Sequence, residues 1–139
     1  MNLLEHLSVA VTCGPDLSLA EAAGFMEQEN VGSVVVVDEL GVVLGIVTDR
    51  DIAVRGMGPE LAPSTPVSAV MTRDVILLRE DADLSDAAGQ MAAAECRRLP
   101  VLGLDGSLKG VVTLDDLMVL FAHQTDSLAQ AVAAEMAVH

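Results

Sequence analysis

The sequence predicts a fold of the α/β class, in its α+β form, made of two tandem copies of one unit that is a small sheet with two helices. Three observations lead there. The second half of the chain lies over the first at a constant offset, so that Gly45 meets Gly110 and Asp51 meets Asp116. Within each copy the apolar period changes from helical to strand-like and back. The 139 residues are 52% apolar, yet they include no Trp or Tyr and only two Phe, so the core is to be built from Val, Leu, Ile, Ala and Met in short elements.

Between residues 16 and 54, thirteen positions match their counterparts without a gap, among them Leu19 with Leu84, Met26 with Met91 and Thr48 with Thr113. Such self-similarity is the mark of a duplicated supersecondary unit. The first helix is expected over 18–29, with Leu19, Ala22, Ala23 and Met26 on one face and Ser18 and Glu21 at capping-box spacing. Its twin spans 83–95. A short β-branched strand follows at 33–37 or 99–102, then turn residues at 38–41 or 103–106, then a second strand at 43–47 or 108–112, which together make a hairpin. The chain enters a second helix at Thr48 or Thr113, residues suited to N-capping, with Asp51 or Asp116 in the first turn.

Three of the five prolines and two glycines fall in 56–66, which reads as an irregular connection. The repeat is exhausted after Phe121. Residues 126–138 carry Leu128, Ala131, Val132 and Met136 on one helical face, so an extra helix is expected whose stripe needs a partner, either this chain or a second one. The expected organisation is therefore 1–60 (first copy, with an N-terminal helix), 61–123 (second copy) and 124–139 (extra helix).

The formal charge of −14, with seven basic residues against 21 acidic ones, speaks against nucleic acid as a partner, because phosphate-backbone affinity comes from clustered Lys and Arg. No apolar run is long enough to span a membrane, and the first ten residues lack a secretory pattern, so a cytoplasmic protein without membrane contact is expected. Cys13 and Cys96 have none of the spacings of metal or redox pairs and read as small apolar residues. His6, His123 and His139 are scattered. No nucleophile and base, metal cluster or facing carboxylate pair is suggested, so no catalytic residue, metal or obligatory cofactor is expected.

One motif recurs at the repeat spacing: Gly45-Ile46-Val47-Thr48-Asp49-Arg50-Asp51 and Gly110-Val111-Val112-Thr113-Leu114-Asp115-Asp116. A glycine admits close approach of a ligand, the strand end directs a hydroxyl and N–H groups outward, and a carboxylate one turn on can accept two hydrogen bonds from a ribose diol. A single Thr-x-x-Asp is no more than a capping box, but two in the same context point to a sugar and phosphate site.

Together with Val67-Ser68-Ala69-Val70-Met71-Thr72, the run from Leu84 to Met91, and Arg97-Arg98-Leu99-Pro100-Val101, these motifs make the chain resemble the CBS-domain pair, or Bateman module, from about Val9 to Phe121. The segment from Leu3 to Leu7 departs from that pattern, lacking the Val-Met-Thr opening. The resemblance implies two copies packed about a pseudo-two-fold axis, two clefts for adenosyl ligands, and pairing of modules into a homodimer. By position, it assigns Ile46, Thr48, Arg50 and Asp51 with Ile76, Cys96, Arg97 and Arg98 to one cleft. It assigns Val111, Thr113 and Asp116 with Val11, Val31, Gly32 and Ser33 to the other.

The clefts are expected to be unequal. A phosphate brought to so acidic a protein needs local cations, and arginine matches phosphate geometry best. Only the first cleft holds arginines in this assignment, so it is expected to bind AMP, ADP or ATP, with S-adenosylmethionine as a further candidate, while the second is weaker. The resulting expectation is a regulatory ligand-sensing module acting on an unidentified protein. The alternative is a constitutive homodimeric scaffold or partner-binding protein with no small-molecule ligand.

Overall fold

Each copy folds as its periodicity requires, into a three-stranded sheet covered by helices, in a computed structural model that describes residues 3–94 and 96–138, the side chains of residues 3, 4 and 138 excepted. In the first copy β1 (Thr12–Cys13) leads through α1 (Leu19–Glu29) to β2 (Ser33–Val37) and β3 (Val43–Thr48), and the chain then enters α2 (Asp49–Asp51). The second copy repeats this with β4 (Leu78–Arg79), α3 (Leu84–Ala94), β5 (Arg98–Leu102), β6 (Leu108–Thr113) and α4 (Leu114–Val138). The sheet orders are β1-β2-β3 and β4-β5-β6, each with a parallel and an antiparallel pair.

Local chemistry accounts for the elements. Ser18 caps α1 by accepting from the Glu21 amide at 3.1 Å, as its spacing predicts, and the left-handed Asn30 ends the helix. Each hairpin turns on a glycine at φ near +83°, Gly41 or Gly106, a conformation only glycine adopts without strain. Asp38 braces the first turn by accepting from the Leu40 and Val42 amides, both at 2.9 Å. Asp105 braces the second turn through Ser107. Ala22 and Ala87 are fully buried, and their small size lets each helix lie close on its sheet.

Several expectations are corrected. The two-residue strands β1 and β4 are too short to leave a period in the sequence. Ala23 is exposed, leaving Leu19, Ala22 and Met26 as the buried face of α1. The expected N-terminal helix is a single 3-10 turn over Leu3–His6, Met1 and Asn2 lying outside the described residues, and α3 is described to Ala94, Glu95 lying outside them. Among the described residues there is no separate C-terminal helix: α4 runs unbroken over 25 residues. Its counterpart α2 instead widens into π-helical turns over Ile52–Met57. Gly56, Gly58 and Pro59 stop the first copy's helix, whereas Phe121, His123 and Gln124 at the matching positions let the second continue.

The boundary at residue 61 also shifts. Val67, Val70 and Met71 belong to the core of the first copy, and the Val67 amide donates to the Leu17 carbonyl at 2.8 Å. The segment leading into the second copy bridges Thr72 to Ile46 of the first, and the segment leading into the first bridges Ser8 to Val111 of the second. The copies thus exchange their leading segments, which ties them together along a seam.

Candidate functional site

The recurring motif ends a strand and opens a helix in both copies. Thr48, in extended conformation, accepts from the Asp51 amide at 3.0 Å, and Asp51 Oδ2 accepts from the Thr48 amide at 3.0 Å. Thr113 and Asp116 repeat the pair at 3.1 and 2.9 Å. Each Thr-x-x-Asp is therefore a closed capping box, which fixes its hydroxyl and carboxylate at a helix start. In the second copy Ser8 Oγ also donates to Asp116 Oδ2 at 3.2 Å, so that carboxylate is the more heavily engaged.

The motif glycines serve a purpose other than the expected one. A Cβ on Gly45 would lie 2.5 Å from the Thr72 carbonyl oxygen, and one on Gly110 2.8 Å from that of Ser8. The close approach is made by the chain's own exchanged segments, not by a ligand. Ile46 and Val111 likewise spend their backbone groups on Thr72 and Ser8 and are buried, so they form floor rather than free donors.

Strand register brings the remaining residues together. Ser33 lies opposite Thr48 and the Asp49 amide donates to the Gly32 carbonyl at 3.1 Å. Arg98 lies opposite Thr113 and the Leu114 amide donates to the Arg97 carbonyl at 2.8 Å. Arg97, Arg98, Thr113, Leu114 and Asp115 line a hollow of about 70 Å³. Arg98 then crosses the seam, its guanidinium lying against Gly32 of the first copy. The two expected clefts are thus not separated as assigned: Thr113 and Gly32, given to one, meet the arginines given to the other. The assignment followed chain position, whereas the antiparallel ladder pairs each strand start with its own copy's helix start.

Arg97 reaches Asp115 at 3.9 Å, a pair whose side chains are 71% and 85% exposed and so contributes little. Arg50 is exposed. Val31 and Cys96 close the ends of the preceding helices by donating to Met26 and Met91, while Val11 and Ile76 pack half-buried on the two cores. Burial raises the thiols of Cys13 and Cys96 above their ordinary pKa, which keeps them neutral and unreactive. Two residues at the seam escaped sequence reasoning. Asp49, beside Gly32 and Arg98, stands opposite Leu114 in the repeat and so carries no recurrence. Ser8 directly follows the segment from Leu3 to Leu7, which departs from the family's opening pattern.

A larger cavity of about 550 Å³ lies between the two hairpin turns, lined by matched pairs such as Val37 with Leu102 and Gly41 with Gly106. No cation lines it, and Asp105 there is held below the ordinary carboxylate range by its bonds from Ser107, so it is unsuited to phosphate. Among the described residues no cluster could hold a metal, and no helix is long and apolar enough to cross a membrane.

Two sheet-and-helix repeats with exchanged leading segments and capped helix starts at their common seam define a paired-repeat module. Residues 7–57 and 67–123 match the family described as CBS domain, and the chain belongs to that family. It is 41% identical over 108 residues to the CBS domain-containing protein YhcV of Bacillus subtilis, covering 78% of this chain and 76% of that one. The CBS domain pair of protein MJ0100 in complex with methylthioadenosine and S-adenosyl-L-methionine has a similar structure, with a TM-score of 0.77 and 28% identity, covering 89% of this chain and 98% of that one. The cytosolic domain of the Mg2+ channel MgtE in complex with ATP is similar with a TM-score of 0.67 and 28% identity, covering 80% of this chain and 44% of that one.

Proposed function

We propose that this chain is a regulatory module that senses an adenine nucleotide of the AMP, ADP or ATP type at the seam between its repeats. The observation that carries the reading is the meeting there of Arg97 and Arg98 with Thr113, the capping threonine of the second motif, in a protein otherwise rich in negative charge. The complexes of its structural relatives with adenosyl compounds support the same ligand class. Thr48 and Asp51, or Thr113 and Asp116, would hold the ribose, and Arg97 and Arg98 the phosphate. A hollow of about 70 Å³ is smaller than a nucleotide needs, so binding requires Arg97 to swing outward while Arg98 keeps its place across the seam. For Arg97 that motion gives up only an exposed ion pair. Ligand then acts by its unequal affinity for the two arrangements of the seam. Asp116, already bonded by Ser8, makes the second copy's carboxylate the weaker ribose partner.

We further propose that the chain pairs with a second copy through α4, whose Leu128, Val132 and Met136 are 67%, 49% and 73% exposed. A constitutive scaffold without a ligand is the competing reading, and titration calorimetry separates the two. AMP, ADP, ATP or S-adenosylmethionine should give saturable heat, and Arg97→Ala with Arg98→Ala should weaken the nucleotides by about tenfold or more at an unchanged melting temperature. Absence of heat from all four ligands would establish the scaffold instead.

A further inference from the structure

We infer that Gly32 is a positioning residue for Arg98: the absence of a side chain at 32 lets the second copy's guanidinium cross the seam, and this sets a preference for phosphorylated over uncharged adenosyl ligands. The inference rests on the nucleotide reading above and assigns its selectivity to a residue that makes no charge of its own.

The backbone does not demand a glycine here. The glycines with φ in the left-handed region are Gly41 and Gly106, and Gly32 is not among them. What the missing side chain leaves is room. A Cβ on Gly32 would lie 2.5 Å from Nη2 of Arg98 and 3.2 Å from its Cζ, closer than side chains approach. Of the three nearest heavy atoms the third is Asp49 Oδ2, at 3.5 Å, an ordinary contact. The room left by the missing side chain is therefore filled by one group, the guanidinium.

That group has little freedom except through its side chain. Arg98 is fixed opposite Thr113 by the β5–β6 ladder, and its neighbour Arg97 by the bond from Leu114. Where the charge of Arg98 ends up thus depends on what residue 32 allows. The repeat makes the relation explicit: Gly32 and Arg97 are counterparts, so one copy supplies cations where the other supplies room. Asp49 Oδ2 stands at the edge of that room without reaching ion-pair distance of the guanidinium, which leaves the donors of Arg98 open to a phosphate.

The atoms nearest to a methyl at 32 belong to side chains, first of all the far end of Arg98, so the fold should survive while Arg98 is pushed aside. Affinities for AMP and adenosine are to be measured by calorimetry for the native chain, Gly32→Ala, Arg98→Ala and the double variant, with Gly32→Ser as a second test of position 32 and thermal unfolding as the control. Gly32→Ala and Gly32→Ser should each lower the AMP-to-adenosine affinity ratio by about fivefold to tenfold. Adenosine affinity should stay within about twofold, and the double variant should bind AMP no worse than Arg98→Ala alone. If Arg98→Ala lowers the ratio but neither substitution at 32 does, or if the double variant shows additive losses, the role of Gly32 is overturned and the site stands. If Arg98→Ala leaves the ratio unchanged, or the native chain binds neither compound, the phosphate site itself is wrong and this inference falls with it.

Discussion

The two copies share a backbone and diverge where they meet. In both, the first strand of the hairpin has five residues and the second six, with the same ladder, including the bulge after Val36 or Val101. Matching residues occupy the buried positions, Ala22 with Ala87, Met26 with Met91 and Val47 with Val112, and the left-handed turn, Gly41 with Gly106. Between Glu27 and Val35, by contrast, no residue equals its counterpart, and there Gly32-Ser33 faces Arg97-Arg98 in the alignment. Packing and turn chemistry therefore specify the unit, and the seam is free to carry a different charge from each side. A pair of identical copies could not put guanidinium groups on one side and room for them on the other.

The second helices give the largest contrast. The first copy's helical run ends at Met57, while α4 reaches Val138 and carries its apolar stripe along a stretch exposed from Phe121 to Ala137. If that stripe pairs two chains, Leu128→Glu with Val132→Glu should halve the mass seen by light scattering at micromolar concentration. A native chain that is already monomeric would contradict the pairing.

The exchanged segments give a smaller and local contrast. Gly45→Ala drives a methyl against the Thr72 carbonyl, a strand held by two backbone bonds to Ile46, and should cost about 2–3 kcal/mol, read as a lower urea midpoint at constant slope. Gly110→Ala meets the Ser8 carbonyl at 2.8 Å rather than 2.5 Å and otherwise the side chain of Leu7, and should cost about half as much. Equal losses would mean that the N-terminal segment is held as firmly as the connecting one.

Most of the fold was legible because it rests on repetition and period. The hairpins, α1 with its Ser18 cap, and the Thr48 and Thr113 helix starts fell where apolar spacing and capping chemistry put them. What was not legible depends on pairing between distant segments. Nothing in Thr12–Cys13 or Leu78–Arg79 marks a strand until β2 or β5 lies beside it. The motif glycines looked like ligand contacts because a sequence shows that space is needed and not what fills it. For the candidate site, the arginines and the Thr and Asp pairs were visible by recurrence and charge. Their grouping was not, since Arg98 reaches Gly32 only where the two copies lie against each other.

The cysteines give the smallest contrast. Cys13 stands where the second copy has Leu78, and Cys96 where the first has Val31, so each thiol replaces an aliphatic residue in an equivalent place. If they act only as small apolar groups, Cys96→Val should change stability by less than about 1 kcal/mol. The raised pKa of both means less thiolate at a given pH than an ordinary cysteine has. Since the thiolate is the form that attacks, iodoacetamide at pH 8 should modify both more slowly in the folded protein than in urea, with the half-buried Cys96 ahead of the buried Cys13. Rapid modification of Cys96 in the folded state, suppressed by AMP, would instead place that thiol in the ligand's path and make the helix end before Arg97 part of the site.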